Sequence, residues 1–154
     1  MARTIRPLTE DDFDAILSDL TLYWGDRGCD AVMRFAHHPT LLYHFGDSAW
    51  VVDDDGIIAA YLFGFRSQRR PSAYVQLVAV QAAARRQGLG RDLYETFEHW
   101  ARARGCLELE GLTRPENQDS IRFHLALGWS SQLVENYAGP GEHRVVLRQA
   151  LGEQ

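Results

Sequence analysis

Val75-Gln-Leu-Val-Ala-Val80-Gln-Ala-Ala-Ala-Arg85-Arg-Gln-Gly-Leu-Gly90-Arg-Asp-Leu-Tyr94 is the stretch that decides the fold. It reads as a buried strand, a short basic turn with two glycines, and the start of a long amphipathic helix. That order aims free backbone N–H groups, the positive end of a helix and several guanidiniums at one place, which is a phosphate-binding arrangement. Gly88 and Gly90 carry no Cβ, so a phosphate can come close to the backbone. The ligand is therefore expected to bear phosphate.

Working outward, Thr9 is placed to cap a helix whose first turn holds Glu10, Asp11 and Asp12, following a strand at 4–8. Residues 21–47 read as irregular and rich in aromatics and histidines, with a short helix at 30–36 stopped by Pro39. Asp54-Asp55-Gly56 joins two strands, 50–53 and 57–65, as a hairpin. A basic loop at 67–72 leads to the strand 73–80 and the helix 88–104, whose buried stripe is Leu89, Leu93, Phe97 and Trp100, with Gly105 just past its end. A strand at 106–113, a helix at 117–127 and strands at 129–134 and 143–148 complete the chain. The β-α-β crossover from Val80 to Cys106 should be parallel and right-handed. The fold class is α/β (α+β), a mixed sheet with helices on both faces.

Composition narrows the function. The chain has 154 residues, 45% of them hydrophobic, and reads as a single domain over 1–154. A net charge of −5 argues against a nucleic-acid partner, because no cationic surplus exists to neutralise a phosphate backbone. Arginine supplies the basic residues. Cys29 and Cys106 make neither a disulfide framework nor a metal cluster, and Cys106, in an apolar run, reads as a small buried hydrophobe. His37-His38-Pro39 is explained by a helix end followed by proline, so no metal is expected. No apolar run approaches the roughly 20 residues of a membrane span, and the N-terminus lacks an apolar signal core. These features predict a soluble cytoplasmic protein without a membrane partner, and leave a homodimer open.

Three phosphate motifs compete for the glycine turn. A Walker loop needs a lysine that is missing here. A dinucleotide fingerprint needs a third small residue where Leu93 stands. Arg85-x-x-Gly88-x-Gly90, following Val78-Ala79-Val80, closely resembles the coenzyme A motif of the GNAT acyltransferases. Downstream, Asn117-x-x-Ser120-x-x-Phe123-His124-x-x-x-Gly128-Trp129 is similar to the second motif of that family, and the order of elements matches over nearly the whole chain.

The resemblance implies a GNAT fold, a mostly antiparallel sheet of about seven strands, splayed between the strand ending at Val80 and the one ending near Thr113, with the thioester in the gap. It implies acetyl-coenzyme A as cofactor. Backbone groups of Val78, Ala79 and Val80 would pair with the pantetheine arm, and an N–H near Val80 would serve the developing oxyanion. Arg85 and the amides of Arg86, Gln87, Gly88, Leu89, Gly90 and Arg91 would hold the pyrophosphate, and Asn117 and Ser120 would reach the cofactor from the other side. The implied activity is N-acetylation of a primary amine by direct attack in a ternary complex.

Two positions depart from the family. His124 stands where most relatives have a tyrosine thought to protonate the thiolate. An imidazole can shuttle a proton near neutrality, so His124 is either the general acid or a residue that only packs beside the cofactor. The glutamate that relatives often place five residues before the asparagine is Leu112 here. Glu110 shares its strand face and is either the base or an ion-paired strand carboxylate; Glu108 lies deeper on the same face. Tyr23, Trp24, Tyr43 and Tyr137 are candidates for the acceptor wall, which would take a small-molecule amine. Acetylation of a protein N-terminus or lysine is the enzymatic alternative. Loss of the usual tyrosine and glutamate motivates another, a catalytically silent coenzyme-A-binding or interaction module.

Overall fold

The computed structural model describes residues 3–152. Its strands are β1 (Arg3–Pro7), β2 (Ala49–Asp54), β3 (Ile57–Arg66), β4 (Ser72–Val80), β5 (Glu108–Thr113), β6 (Ser130–Val134) and β7 (Arg144–Ala150). Its helices are α1 (Glu10–Ser18), α2 (Thr21–Trp24), α3 (Ala31–Ala36), α4 (Pro39–Phe45), α5 (Leu89–Ala103) and α6 (Gln118–Ala126). The strands form a seven-stranded sheet in the order β1-β2-β3-β4-β5-β7-β6. The parallel register runs from Ser72↔Glu108 to Tyr74↔Glu110 between β4 and β5, as the crossover required. Among the described residues no helix is long and apolar enough to cross a membrane. The chain divides into two compact units: residues 3–65 with 76–97, and residues 66–75 with 98–152.

In the first unit, charge closes the corner between β1 and α1. Thr9 Oγ1 accepts from the Asp12 N–H at 3.2 Å, and Asp12 Oδ2 accepts from the Thr9 N–H at 2.8 Å, a reciprocal capping box. The same buried carboxylate takes two N–H groups of Arg6, at 2.7 and 2.9 Å, and Arg6 Nε donates to Asp53 at 3.1 Å. One guanidinium thus ties β1 and α1 to β2 and holds the Asp12 carboxyl below its ordinary range. At the β2–β3 turn, Asp55 (φ 55°) and Gly56 (φ 89°) are both left-handed, as a two-residue hairpin demands.

Alternation along β2 to β4 puts a helical layer on each side. Val51, Tyr61, Phe63, Leu77 and Ala79 pack with Phe13, Ile16, Leu20, Met33 and Leu42 of the early helices. The intervening Trp50 meets Phe97 of α5 edge-on, with ring centroids 6.0 Å apart. Leu89, Leu93 and Phe97 are buried, as the helical spacing predicted, whereas Trp100, expected in the same stripe, is half-buried.

The stretch expected to be irregular is largely helical. Pro39 opens α4 as its first residue instead of only closing α3: its fixed φ suits a first turn, and His38 Nδ1 accepts from the Thr40 N–H at 3.3 Å. Gly28, in the 3₁₀ turn Gly25–Cys29, lies so close to the next turn that a Cβ would fall 2.6 Å from the Leu20 carbonyl carbon. Helices this short are held by tertiary contacts. Here the contact is a polar chain through the core. His37 Nδ1 lies 2.7 Å from the Met33 carbonyl and so carries its hydrogen there. Nε2 then accepts from the Tyr61 hydroxyl at 2.7 Å, and Tyr61 accepts from Trp24 Nε1–H at 2.7 Å. Burial pushes His37 below its ordinary pKa and Tyr61 above its own.

In the second unit, β7 pairs antiparallel with both β5 and β6. Asn117 caps α6, its Oδ1 accepting from the Ser120 N–H at 3.3 Å. The helix ends in a Schellman motif: the Trp129 N–H donates to the His124 carbonyl at 3.0 Å and the Gly128 N–H to the Leu125 carbonyl at 3.0 Å, with Gly128 at φ 91°. Cys106 is buried, which pushes its thiol up against the opposing pull of Arg66 and Arg104, whereas Cys29 of the first unit is exposed.

A buried neutral imidazole binds a proton less readily than the unfolded chain does. The stability it contributes is complete above the ordinary pKa of about 6.5 and is lost as pH falls below it. Urea midpoints of the whole chain should therefore drop between pH 7 and pH 5. In His37→Phe the drop should shrink, by up to about 1.4 kcal/mol per pH unit, despite lower stability at neutrality. An unchanged pH slope would show that His37 does not titrate in this way.

Candidate active site

The glycine turn is built within the first unit. β4 ends at Val80, and the Gln81 N–H donates to the Ala59 carbonyl at 2.8 Å, locking the exit from the strand. A 3₁₀ turn at Ala82–Ala84 follows. Arg86 then takes φ 65° and Gly88 φ 79°. A left-handed non-glycine residue stores strain, and such strain concentrates where backbone must face a ligand. Both residues stand just ahead of α5, whose first N–H groups have no intrahelical partner. No heavy atom lies within 4 Å of a Cβ built on Gly88, so the need for glycine there is conformational rather than spatial. Arg86, Gln87, Gly88 and Arg91 are exposed, while Leu89 and Gly90 are buried. This donor set suits a diphosphate.

The Arg85 side chain is held by two backbone carbonyls. Its Nη2 donates to the Tyr23 carbonyl at 3.0 Å and its Nε to the Val80 carbonyl at 3.4 Å. The guanidinium ties the turn to α2 and to the end of β4. Val78 and Val80 are half-buried and Ala79 is buried, on opposite faces of β4.

The acid–base candidates belong to the second unit. His124, buried on α6, directs Nδ1–H to the Ser120 carbonyl at 2.7 Å, with Ser120 Oγ 3.4 Å away. Its ring meets Trp129 edge-on at 4.9 Å and Phe123 at 5.4 Å. The Schellman motif that fixes Trp129 therefore fixes the imidazole. Burial pushes its pKa below 6.5, only partly opposed by the bond to Ser120. At neutral pH Nε2 carries a lone pair, so this nitrogen accepts a proton rather than donating one.

Glu110 is buried in the middle of β5 and receives Arg70 Nη2 at 2.6 Å. Tyr74, across the ladder, has its pKa raised first by burial and then by Tyr137 and Glu110, so its hydroxyl keeps its proton. Glu108, on the same face, lies 3.8 Å from Arg148. The sequence marks the basic loop 67–72 but singles out neither Arg70 within it nor Tyr74. Tyr74 was accessible through strand parity, since β4 pairs in parallel with β5; Arg70 carried no signal beyond a basic loop.

The acceptor-wall candidates separate. Tyr23 is buried and its hydroxyl donates to the Ile58 carbonyl at 2.8 Å; Trp24 is held by Tyr61. Tyr43 and Tyr137 are exposed.

The acetyltransferase (GNAT) family model matches residues 13–129. Aminoglycoside N(6')-acetyltransferase type 1 of Serratia marcescens is 28% identical over 127 residues, covering 78% of this chain and 86% of that protein. Among solved structures, the ribosomal-protein-S18-alanine N-acetyltransferase of Escherichia coli has a TM-score of 0.75 at 21% identity, covering 99% of this chain and 96% of that one. The yncA protein of Salmonella typhimurium, solved with its cofactor acetyl-CoA, has a TM-score of 0.70 at 22% identity, covering 100% and 96%. These two likenesses establish a shared fold.

A side chain at the left-handed position of Gly88 costs about 1–2 kcal/mol. Gly88→Ala should lose about that much stability in urea unfolding, and Gly88→Asn less, because asparagine tolerates this conformation. Equal losses for both would mean that φ is not the constraint.

Proposed function

The chain belongs to the acetyltransferase (GNAT) family, and we propose that as a single domain it moves an acetyl group from acetyl-coenzyme A to a primary amine of a small molecule. The observation that carries this reading is the pair of left-handed residues Arg86 and Gly88 immediately before α5. The coverage of an aminoglycoside acetyltransferase over most of both chains supports a small acceptor.

Acetyl-coenzyme A supplies the activated acyl carbon and leaves as the thiol. The protein must hold the diphosphate, receive the proton that the attacking amine sheds, and return a proton to sulfur. The amides of residues 86–91 serve the first task, with Asn117 and Ser120 on the cofactor arm and Val78, Ala79 and Val80 offering strand-edge groups to it. His124 serves the other two. Its Nε2 accepts the N–H proton as the new C–N bond forms, and gives that proton to sulfur as the C–S bond breaks. The exchange leaves the imidazole neutral again, as burial favours. His124 is thus a relay rather than a resident acid. Glu110 attracts the ammonium form of the acceptor, which releases one proton to solvent before its lone pair attacks. Tyr137 acts electrostatically on Tyr74, the ladder partner of Glu110, and Tyr43 is exposed on α4.

Thiol release from acetyl-coenzyme A, measured with kanamycin, spermidine and a peptide bearing an N-terminal alanine, tests the assignment. Turnover should appear with the small amines. Stabilisation by coenzyme A without turnover on any of the three would make the protein a silent binder; turnover on the peptide alone would make it a protein acetyltransferase.

His124→Phe should lower kcat by about a hundredfold or more, the range for losing a proton-transfer group. A neutral imidazole is required, so wild-type kcat should fall as pH drops through a value below 6.5, and the variant should lose that limb. An unchanged kcat and pH profile would reduce His124 to packing.

A further inference from the structure

We propose that Arg70 is a built-in competitor for Glu110: it occupies the carboxylate until the ammonium of an acceptor displaces it, and so sets the preference for multiply charged amines. The inference rests on the amine-acetylating reading and gives it a specificity-determining residue that lies in neither sequence motif.

Glu110 lies mid-strand, and a carboxylate so far out of water needs a cation or several donors at all times. Its ladder partners are Tyr74 on β4 and Arg148 on β7, so the three side chains share a face. Arg148 is engaged beside it, with Nε 3.8 Å from Glu108 and Nη1 donating to Gln132 at 3.2 Å. Tyr74 stays protonated and neutral. The cation that reaches Glu110 comes from the loop, as Arg70 Nη2 at 2.6 Å.

The two partners are unequal. The Glu110 side chain is 11% exposed and that of Arg70 57%. Arg70 can return to water with little loss, whereas Glu110 must exchange one cation for another. The backbone beneath Arg70 is already fixed: Ser67 Oγ accepts from the Arg69 and Arg70 N–H groups at 3.1 and 3.2 Å, and the Ser67 N–H donates to the Ser72 carbonyl at 2.8 Å. The exchange therefore needs a swing of one side chain, with the loop in place.

This arrangement discriminates among acceptors. A neutral or anionic compound cannot replace the guanidinium. An amine with a second cationic centre also meets Glu108, two residues along the same face and so about 7 Å away. Its own partner Arg148 is held at a longer distance than Arg70 is from Glu110.

Steady-state kinetics with spermidine and n-butylamine, at saturating acetyl-coenzyme A, test the proposal. Arg70→Gln should lower KM for spermidine about tenfold, more than for n-butylamine, and leave KM for acetyl-coenzyme A within about twofold. Arg70→Lys keeps the charge and should keep the wild-type KM. In a Glu110→Gln background, Arg70→Gln should change nothing further. A raised spermidine KM in Arg70→Gln, or Arg70→Lys behaving like Arg70→Gln, overturns the inference and leaves Arg70 as a structural brace.

Should the wild type acetylate neither probe, the amine reading fails, and NMR decides the inference alone. Spermidine added to ¹⁵N-labelled wild type should move the Arg70 Nε–H cross-peak, identified by its loss in Arg70→Gln, towards that of the same arginine in Glu110→Gln. A cross-peak indifferent to spermidine overturns the proposal.

Discussion

A polar atom taken out of water must find its partner inside, and much of this molecule is arranged around that requirement. Asp12 is buried because Arg6 embraces it. His37 is buried because Met33 and Tyr61 use both of its nitrogens, and Trp24 donates in turn to Tyr61, all in one consistent direction. Glu110 is buried because Arg70 reaches it. In each case the partner comes from another element, so satisfying one atom positions two pieces of backbone. The short helices between α1 and β2 owe their placement to this more than to their own propensity.

The same rule turns structure into chemistry. An imidazole in water exchanges tautomers freely. With Nδ1–H committed to the Ser120 carbonyl, His124 has one tautomer and one accepting nitrogen. Its environment disfavours the imidazolium, so in the relay we propose the imidazole collects a proton before it can give one. Arg85 also shows how the rule redistributes tasks. Its guanidinium satisfies two carbonyls, and the proposed anion site rests on the backbone of the turn.

What could be read from the sequence was what local physics determines. The Asp55-Gly56 turn, the amphipathic α5, the Asn117 cap and the glycine turn follow from φ preferences, periodicity and capping within a few residues, and all of these elements stand where they were expected. Between 21 and 48 the local signals were weak, because helices of four to seven residues have too few positions to display a period. Pro39 was ambiguous for a clear reason, since proline both closes one helix and opens another. In the candidate site, motif and strand parity single out His124 and Glu110 as candidates. Arg70 lies forty positions from Glu110, and no periodicity connects the two. Tyr23 lies in the core and Trp24 packs against it, and aromatic residues give the same sequence signal whether they face a ligand or a core.

The unequal surroundings of the two thiols have a practical consequence. Cys29 stands exposed on the 3₁₀ turn beside α2, while Cys106 is buried with its ionisation suppressed. Alkylating reagents react with thiolates, so a maleimide dye would couple at Cys29 of the native protein and leave Cys106 untouched. The wild-type chain thus carries a single addressable handle at the aromatic segment, and fluorescence from it would follow rearrangements there without any engineered cysteine.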